Sequence, residues 1–197
     1  MPEPWLTRRS TMAGIAGAAA AAVLPVPASA RPLAPPTVCT HGTPSQTEGP
    51  LYRPSTPRRG DLREPDSAGE QLVLEGLVLT PGCRPLPGAM IDVWHCDENG
   101  RYDNRGFRYR GHDFTDAAGA FRFRTIRPGR YPDRTPHIHV KVQGRTTPLL
   151  TTQLYFPDLP YDNIGDSLYR DDLALRLERA GGIWLARFDF VLPTGRR

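Results

Sequence analysis

Glycine and proline restrict the fold of this chain more than any other feature of its sequence. There are 19 glycines and 22 prolines among 197 residues, about a fifth of the chain. Both residue types interrupt long helices and favour turns. A helical bundle or coiled coil is therefore excluded, and short strands joined by turns are expected. No segment repeats at a period of 20–50 residues, which excludes a solenoid or a propeller.

Apolar and β-branched runs between these turn residues predict a series of short strands. The predicted strands are Gln71–Leu79, Ala89–His95, Ala120–Ile126, His137–Val142, Leu149–Phe156 and Ile183–Leu192. The first two are expected to pair as a hairpin through the turn residues 80–88. Only Asp166–Arg179 has the pattern of a helix. We therefore expect an all-β fold, an antiparallel β-sandwich of about seven or more short strands with long loops.

The N-terminal residues predict an export signal over positions 1–30. Arg8 and Arg9 form a twin arginine, the apolar stretch Met12–Leu24 follows, and a small-x-small cleavage pattern ends at Ala30. The apolar stretch is too short to serve as a membrane anchor. We expect export by the twin-arginine route, cleavage near Ala30 and a periplasmic or extracellular protein with no stable membrane anchor.

The rest of the chain divides into an arm and a domain. Residues 31–70 are rich in proline, threonine, serine and arginine without periodicity, which predicts an extended arm that wraps the β-sandwich of residues 71–197. The chain has 25 basic and 21 acidic residues, and every basic residue except Lys141 is an arginine. Because the charges of both signs are interspersed, they indicate a solvated surface rather than a nucleic-acid interface.

Three cysteines leave the disulfide pairing open. An exported protein can form a disulfide, and the odd count leaves at least one thiol free or paired between chains. We predict no bond between Cys83 and Cys96. The strand that begins at Ala89 carries Cys96 about 20 Å away, well beyond the roughly 7 Å between Cα atoms that a disulfide tolerates. The role of Cys39 is not determined by the sequence.

The segment from His137 to Val142 is the sharpest local pattern in the chain. Alternate side chains of a strand share a face, so Ile138, Val140 and Val142 are expected in the core and His137 and His139 together on the other face. Two imidazoles on one face of a strand can bind one metal ion. The pair alone is weak evidence, because two polar residues on a solvated face would look the same.

Two tyrosines near turns strengthen the metal hypothesis. Tyr102 follows the turn Asp97–Gly100, and Tyr131 follows the break at Pro128 and Gly129. Taken singly, each has the alternative explanation of amphipathic packing at a strand end. Tyrosinate is a hard anionic ligand, and two tyrosinates with two imidazoles suit Fe(III) better than zinc or copper. The charge of the ion would keep the phenols deprotonated below their usual pKa of about 10.

Taken together, the motifs resemble those of the intradiol ring-cleavage dioxygenases, the family of catechol 1,2- and protocatechuate 3,4-dioxygenases. The segments that carry the resemblance include Thr47-Glu48-Gly49-Pro50-Leu51-Tyr52, Gly100-Arg101-Tyr102, Phe107-Arg108-Tyr109-Arg110-Gly111, Pro128-Gly129-Arg130-Tyr131, Arg134-Thr135-Pro136-His137-Ile138-His139 and Thr151-Thr152-Gln153-Leu154-Tyr155-Phe156. The resemblance implies the β-sandwich fold that the strand pattern also predicts. The length is similar to that of a small, exported, sandwich-only subunit.

The resemblance also implies roles for individual residues. One Fe(III) per chain would have as ligands Tyr102, Tyr131, His137 and His139. Catalytic roles fall to Tyr131, Arg134 and Gln153, and substrate contacts to Arg134, Gln153 and Tyr52. The implied reaction is the cleavage of catechol-type diols between the two hydroxyls by O2, which gives muconate-type dicarboxylates. A homo-oligomer is possible.

Two other functions remain open on the sequence alone. One is a catalytically inactive, exported β-sandwich that binds or carries a ligand. The other is a zinc-type metallohydrolase that uses His137 and His139 with a carboxylate such as that of Asp133. Neither explains why two tyrosines accompany the two histidines.

Overall fold

Nine strands form two β-sheets in the computed structural model, which describes residues 39–193. The strands are β1 (Gln71–Leu79), β2 (Met90–Trp94), β3 (Arg110–Phe114), β4 (Ala120–Ile126), β5 (His137–Gln143), β6 (Leu150–Tyr155), β7 (Arg176–Ala180), β8 (Ile183–Arg187) and β9 (Phe190–Val191). Between β6 and β7 lie a short helix, α1 (Pro160–Gly165), and a single 3-10 turn at Asp171–Leu173. The predicted export signal and the first residues of the arm lie outside the described residues.

The sheets differ in their strand order and direction. The four-stranded sheet has the order β3-β2-β5-β6 and is antiparallel throughout. The five-stranded sheet has the order β4-β1-β8-β7, with β9 beside the far end of β1. The all-β sandwich is confirmed, with one difference from a purely antiparallel arrangement. Strand β1 runs parallel to both β8 and β9. Strands β8 and β9 follow each other along the same edge of β1.

The core lies between the two sheets and follows the predicted alternation. Ile138, Val140 and Val142 of β5 are fully buried and belong to one apolar cluster with Leu72 and Leu74 of β1. Removal of this apolar surface from water is the main force that holds the sheets together. The intervening residues of β5 therefore lie on the outer face of the four-stranded sheet.

The predicted hairpin between the first two strands is wrong. Strand β1 pairs with β4 and β8, whereas β2 pairs with β3 and β5 in the other sheet. The turn at residues 80–88 therefore crosses from one sheet to the other. Strand β3 has no counterpart among the predicted strands, because its sequence Arg-Gly-His-Asp-Phe is mostly polar.

The predicted helix at Asp166–Arg179 is also wrong. The helix α1 ends before this segment, and the segment contains the 3-10 turn and strand β7. Leu173 and Leu175 are both buried. The chain between them is extended, and the Leu175 N–H donates to the Tyr155 carbonyl at the end of β6. A spacing of two between buried leucines is typical of extended chain.

Residues 39–70 form a largely irregular segment, which we call the arm, and its middle part crosses the outer face of the four-stranded sheet. Its backbone bonds to β6 through Gln46 (N to Thr151 O, 2.8 Å) and to β3 through the Pro57 carbonyl (His112 N to Pro57 O, 3.1 Å). Between these two contacts, the Thr56 hydroxyl donates to Asp92 of β2 at 2.9 Å. The arm therefore covers residues that would otherwise face solvent.

A disulfide closes the start of the arm onto the β1–β2 turn. Cys39 and Cys83 are bonded, with their Cα atoms 5.3 Å apart, and Cys96 is a buried free thiol. The prediction that Cys83 and Cys96 are not bonded is confirmed. Within the described residues, no helix is both long and apolar enough to cross a membrane.

Candidate metal centre

The two histidines of β5 converge on a single point. The Nδ1 atom of His137 lies 2.7 Å from the Thr135 carbonyl oxygen, so it carries the proton and leaves a lone pair on Nε2. That Nε2 lies 3.1 Å from Nε2 of His139. Two nitrogens bound at right angles to one ion, at metal–nitrogen distances of about 2.0–2.1 Å, would be about 3.0 Å apart. The separation therefore suits two ligands of one metal ion.

Burial keeps both imidazoles neutral. It lowers the pKa of His137 to about 4 and the pKa of His139 well below the usual value. Neutral imidazole is the form that binds metals. Trp94 on the neighbouring strand β2 stacks on the His139 ring, with centroids 4.8 Å apart and planes 5° from parallel. The indole fixes the orientation of the His139 imidazole, and the sequence analysis did not identify Trp94 as a site residue.

Two similar loops carry the tyrosines and touch through their glycines. Each loop has the sequence Gly-Arg-Tyr, ending at Tyr102 in one and at Tyr131 in the other. A Cβ on Gly100 would lie 1.9 Å from the Arg130 carbonyl oxygen, and one on Gly129 would lie 2.2 Å from a carbonyl oxygen of the other loop. Only glycine permits backbones to approach so closely. The two glycines therefore bring the tyrosines together.

The tyrosine rings meet beside the histidines. The rings of Tyr102 and Tyr131 are 5.4 Å apart in an edge-to-face arrangement, and Tyr102 is 6.3 Å from the His139 ring. The Tyr102 hydroxyl is buried and has no hydrogen-bond partner among the described residues. Burial raises the pKa of Tyr102 well above 10. A buried, unpartnered phenol is costly, and a strong Lewis acid at this point would both displace its proton and satisfy its oxygen.

This set of donors fits ferric iron. Two phenolic oxygens and two imidazole nitrogens match a hard trivalent ion. The zinc alternative needs a carboxylate near the two histidines. Among residues 39–193, no three His, Cys, Asp or Glu side chains come together as a metal site, and Asp133 is exposed in its loop. The four predicted ligands are thus placed together, and the carboxylate alternative is not favoured.

Arg134 and Gln153 lie beside these ligands and bind each other. Gln153 is fully buried on β6, directly opposite His139 of β5. Its Oε1 accepts a hydrogen bond from Nη2 of Arg134 at 2.6 Å, and its Nε2 donates to the Thr47 carbonyl of the arm at 2.9 Å. The structure therefore places both residues beside His139, and their catalytic roles stay predictions.

Tyr52 is separated from His139 by the indole of Trp94. It packs against Trp94, with centroids 4.8 Å apart, and its hydroxyl donates to Asp92 at 3.1 Å. The ammonium of Lys141, which is paired with Glu48, lies 3.5 Å above its ring. Burial and the neighbouring Asp92 carboxylate raise the pKa of Tyr52 to about 12. A direct substrate contact by Tyr52 stays a prediction.

Two charged residues at the centre were missed by the sequence analysis. Arg110 is fully buried over the Tyr102 ring, 5.8 Å from its centroid, and binds the carbonyl oxygens of Leu51 and Asp103 at 2.8 and 3.2 Å. Asp166 is buried against Arg134. No local signal marks Asp166, because it lies 32 residues after its partner.

Comparison with known proteins agrees with this geometry. A family model described as a dioxygenase matches residues 47–193. The chain is 30% identical over 189 residues to chlorocatechol 1,2-dioxygenase from Pseudomonas sp. strain P51, a match that covers 80% of this chain and 73% of that protein. The chain belongs to the intradiol ring-cleavage dioxygenase family.

Two further relatives show how far the similarity extends. Catechol 1,2-dioxygenase from Pseudomonas sp. strain EST1001 is 31% identical over 62% of this chain and 49% of its own length. The dioxygenase domain of a dioxygenase carbohydrate-binding protein fusion from the cellulolytic bacterium Streptomyces sp. SirexAA-E is 45% identical. It superposes with a TM-score of 0.75, over 79% of this chain and all of that domain. The chain spans about half the length of several curated relatives it matches.

Proposed function

We propose that this protein cleaves the ring of catechol-type diols between the two hydroxyls with O2, using one Fe(III) held by Tyr102, Tyr131, His137 and His139. The observation that carries the proposal is the meeting of these four side chains on the outer face of the four-stranded sheet. Bound ferric iron supplies Lewis-acid chemistry that activates the diol toward O2. A catalytically inactive carrier would have no use for all four donors.

The two tyrosines occupy different environments, which supports different roles. The Tyr102 hydroxyl is buried without a partner, so this residue serves as a permanent ligand. Tyr131 lies in a loop and is followed by two exposed residues, Pro132 and Asp133. Its phenolate oxygen is the group that accepts a proton from a substrate hydroxyl as the diol binds.

Arg134 supplies a fixed positive charge. Its guanidinium donates through Nε to Asp166 and through Nη2 to Gln153. Its Nη1 has no hydrogen bond to any of the residues that the structure describes. A guanidinium stays protonated at every working pH. Held in place in this way, it stabilises the negative charge that develops on the substrate during ring cleavage.

Export through the twin-arginine route is part of the proposal. It is supported by Arg8 and Arg9 with the apolar stretch after them, and by the disulfide between Cys39 and Cys83. Disulfides persist in oxidising compartments and are rare in the cytosol. Export suggests a substrate met outside the cytoplasm.

Metal analysis with a visible spectrum and an oxygen electrode tests the proposal. Protein from iron-replete cells is expected to hold about one ferric ion per chain and to be reddish, because tyrosinate-to-iron charge transfer absorbs visible light. Catechol should be consumed with one O2 each and yield a dicarboxylate. A colourless, zinc-loaded protein would end the dioxygenase hypothesis. Binding of catechol without oxygen uptake would favour the carrier.

A further inference from the structure

The carboxylate of Asp166 is buried in the segment that follows α1. Its side chain is only 1% exposed. Both oxygens accept from Nε of Arg134, at 3.0 and 2.8 Å. They also accept from two backbone N–H groups, Thr135 at 3.0 Å and Leu168 at 2.9 Å. All of these bonds are made within the protein, so the carboxylate is fully engaged.

Two of the three nitrogens of the Arg134 guanidinium are held by hydrogen bonds. Nε is bound to Asp166. Nη2 is bound to Oε1 of Gln153 at 2.6 Å and lies 3.4 Å from the Tyr155 hydroxyl. The remaining nitrogen, Nη1, bonds to no described residue. A guanidinium is planar and rigid, so anchoring Nε and Nη2 also determines where Nη1 lies.

The same carboxylate reaches the backbone next to a predicted metal ligand. The Asp166 carboxylate accepts a hydrogen bond from the Thr135 N–H. The carbonyl oxygen of Thr135 in turn accepts from Nδ1 of His137 at 2.7 Å. Asn163 of α1 adds a second hold on Thr135, because its Oδ1 accepts from the Thr135 hydroxyl at 2.6 Å. Partners of this kind, one step behind the reacting groups, commonly control the orientation of ligands and catalytic side chains.

We propose that Asp166 is a positioning residue that holds the Arg134 guanidinium with Nη1 directed to the substrate. This inference rests on the proposed function of the site. Without the carboxylate, Arg134 keeps its charge but loses the partner that fixes Nε, so the guanidinium can turn away from the substrate. The positive charge of Arg134 then remains, but it no longer lies next to the substrate.

Four variants test the proposal against a purely structural role for the ion pair. They are Asp166→Asn, Arg134→Ser, the double variant and the control Asp162→Asn. Asp162 lies in α1, four residues before Asp166, and forms a partly exposed ion pair with Arg130 at 3.2 Å. Asparagine at 166 keeps the size of the side chain and removes its charge. Iron content, the visible spectrum and turnover per bound iron are measured for each variant.

The positioning role predicts a specific pattern. Asp166→Asn should retain its iron and its resting visible band while turnover per iron falls roughly 10–100-fold. The double variant should match Arg134→Ser within about twofold, because the asparagine amide oxygen can still accept from the Thr135 N–H, and the lost charge then affects turnover only through Arg134. The catechol complex formed without O2 should show the same spectral change in Asp166→Asn and Arg134→Ser. Asp162→Asn should behave like the wild type.

Three outcomes would overturn the proposal while the dioxygenase function stands. They are wild-type turnover in Asp166→Asn, additive losses in the double variant, and loss of iron from Asp166→Asn. If Asp166→Asn does not fold, Asp166→Glu decides, since it keeps the charge and displaces it by one methylene. Asp166→Glu should retain iron with reduced turnover, and wild-type turnover there would contradict the proposal. A wild-type protein that consumes no oxygen would instead overturn the function itself.

Discussion

The two sheets share one core but use their outer faces differently. On the five-stranded sheet, the Glu75 carboxylate of β1 accepts hydrogen bonds from the guanidinium groups of Arg122 in β4 (3.0 Å) and Arg187 in β8 (2.9 Å). Arg187 also donates to the Glu178 carboxylate of β7 at 3.2 Å. We call these four residues the ion ladder. It ties neighbouring strands together and is partly open to solvent. The outer face of the four-stranded sheet is instead largely buried, and it carries the candidate metal centre.

The two outer faces differ in exposure because different parts of the chain cover them. The strands of both sheets alternate their side chains between the two faces in the same way. Both sheets place apolar residues inward at every second position, and their outward positions carry the charged and polar residues together with some apolar ones, such as Val73 and Trp94. The arm covers the outer face of the four-stranded sheet, so His139 and Gln153 there are buried. Buried polar groups interact more strongly than exposed ones. A chemically active face therefore arises from a polar strand pattern once a segment of chain excludes water from it.

The largest expected effect comes from removing a metal ligand. His139→Ala and Tyr102→Phe should each lose iron and visible colour, since each removes a permanent donor. Tyr131→Phe should retain more iron and lose turnover, because this ligand accepts the substrate proton. Iron per chain and the visible spectrum are the measurements. Full iron and full activity in His139→Ala would show that the donor set is wrongly assigned.

Arg134→Ser should lower turnover without loss of iron. The removal of a fixed donor to developing charge typically costs about 10²–10³ in kcat, so a fall of at least about 100-fold is expected. Arg134→Lys should restore only part of it, because lysine lacks the planar fork that reaches both Asp166 and Gln153. Steady-state oxygen uptake per bound iron measures the effect. Near-wild-type uptake would show that the Arg134 guanidinium takes no part in the reaction.

Acid should weaken the side of the molecule that carries the metal centre. His95 follows β2, is fully buried, and has its pKa lowered by burial to about 4. The unfolded chain binds a proton near pH 6.5 and the folded protein does not. Stability is therefore complete above pH 6.5 and falls as the pH drops toward 4, by roughly 3 kcal/mol from this residue. Denaturant unfolding of metal-free protein at pH 7 and pH 4.5 measures the change, and His95→Gln should reduce it.

Gly129→Ala should damage the metal centre from a distance. The added Cβ would collide with the Glu98 carbonyl and push the two tyrosine loops apart. Strain of this kind typically costs about 1–3 kcal/mol, and iron binding should weaken with it. Gly165→Ala is the matched control, since its Cβ would meet nothing within 4 Å. Equal iron content and thermal stability in both variants would contradict the role of the glycine contact.

The smallest effect is expected on the ion ladder. Glu75→Gln leaves Arg122 and Arg187 without their shared carboxylate, which should cost about 1–3 kcal/mol of unfolding free energy. Iron content and turnover per iron should not change, because the ladder lies on the opposite sheet. Denaturant unfolding and oxygen uptake separate the two effects. A fall in turnover per iron would show that the faces are coupled.

Local patterns predicted the faces of strands but not the pairing between them. The alternation from His137 to Val142 placed histidines and core residues correctly, because the period of a strand fixes side-chain direction. The turn residues 80–88 predict a hairpin equally well whether the chain turns back on β1 or crosses to the other sheet, because the local sequence is the same in both cases. The prediction of a helix at Asp166–Arg179 failed because the contact of Leu175 with the end of β6 holds this segment extended.

The candidate site shows the same division. The resemblance implies roles for the four predicted ligands, Arg134 and Gln153, and the structure places these side chains near one another. The residues that hold them were missed, since Trp94, Arg110 and Asp166 act through contacts between distant segments. Their roles depend on the fold and leave no mark in their immediate sequence.

The bond between Cys39 and Cys83 turns the arm into part of a covalent ring, because 44 positions separate the two cysteines. A protease that cuts the chain once inside this ring releases neither piece, since the sulfur bridge still joins them. The arm would stay attached over the metal centre and could settle back into place. The same cut in a reduced protein would set the N-terminal piece free. The ring therefore makes resistance to nicking depend on the redox state of the surroundings.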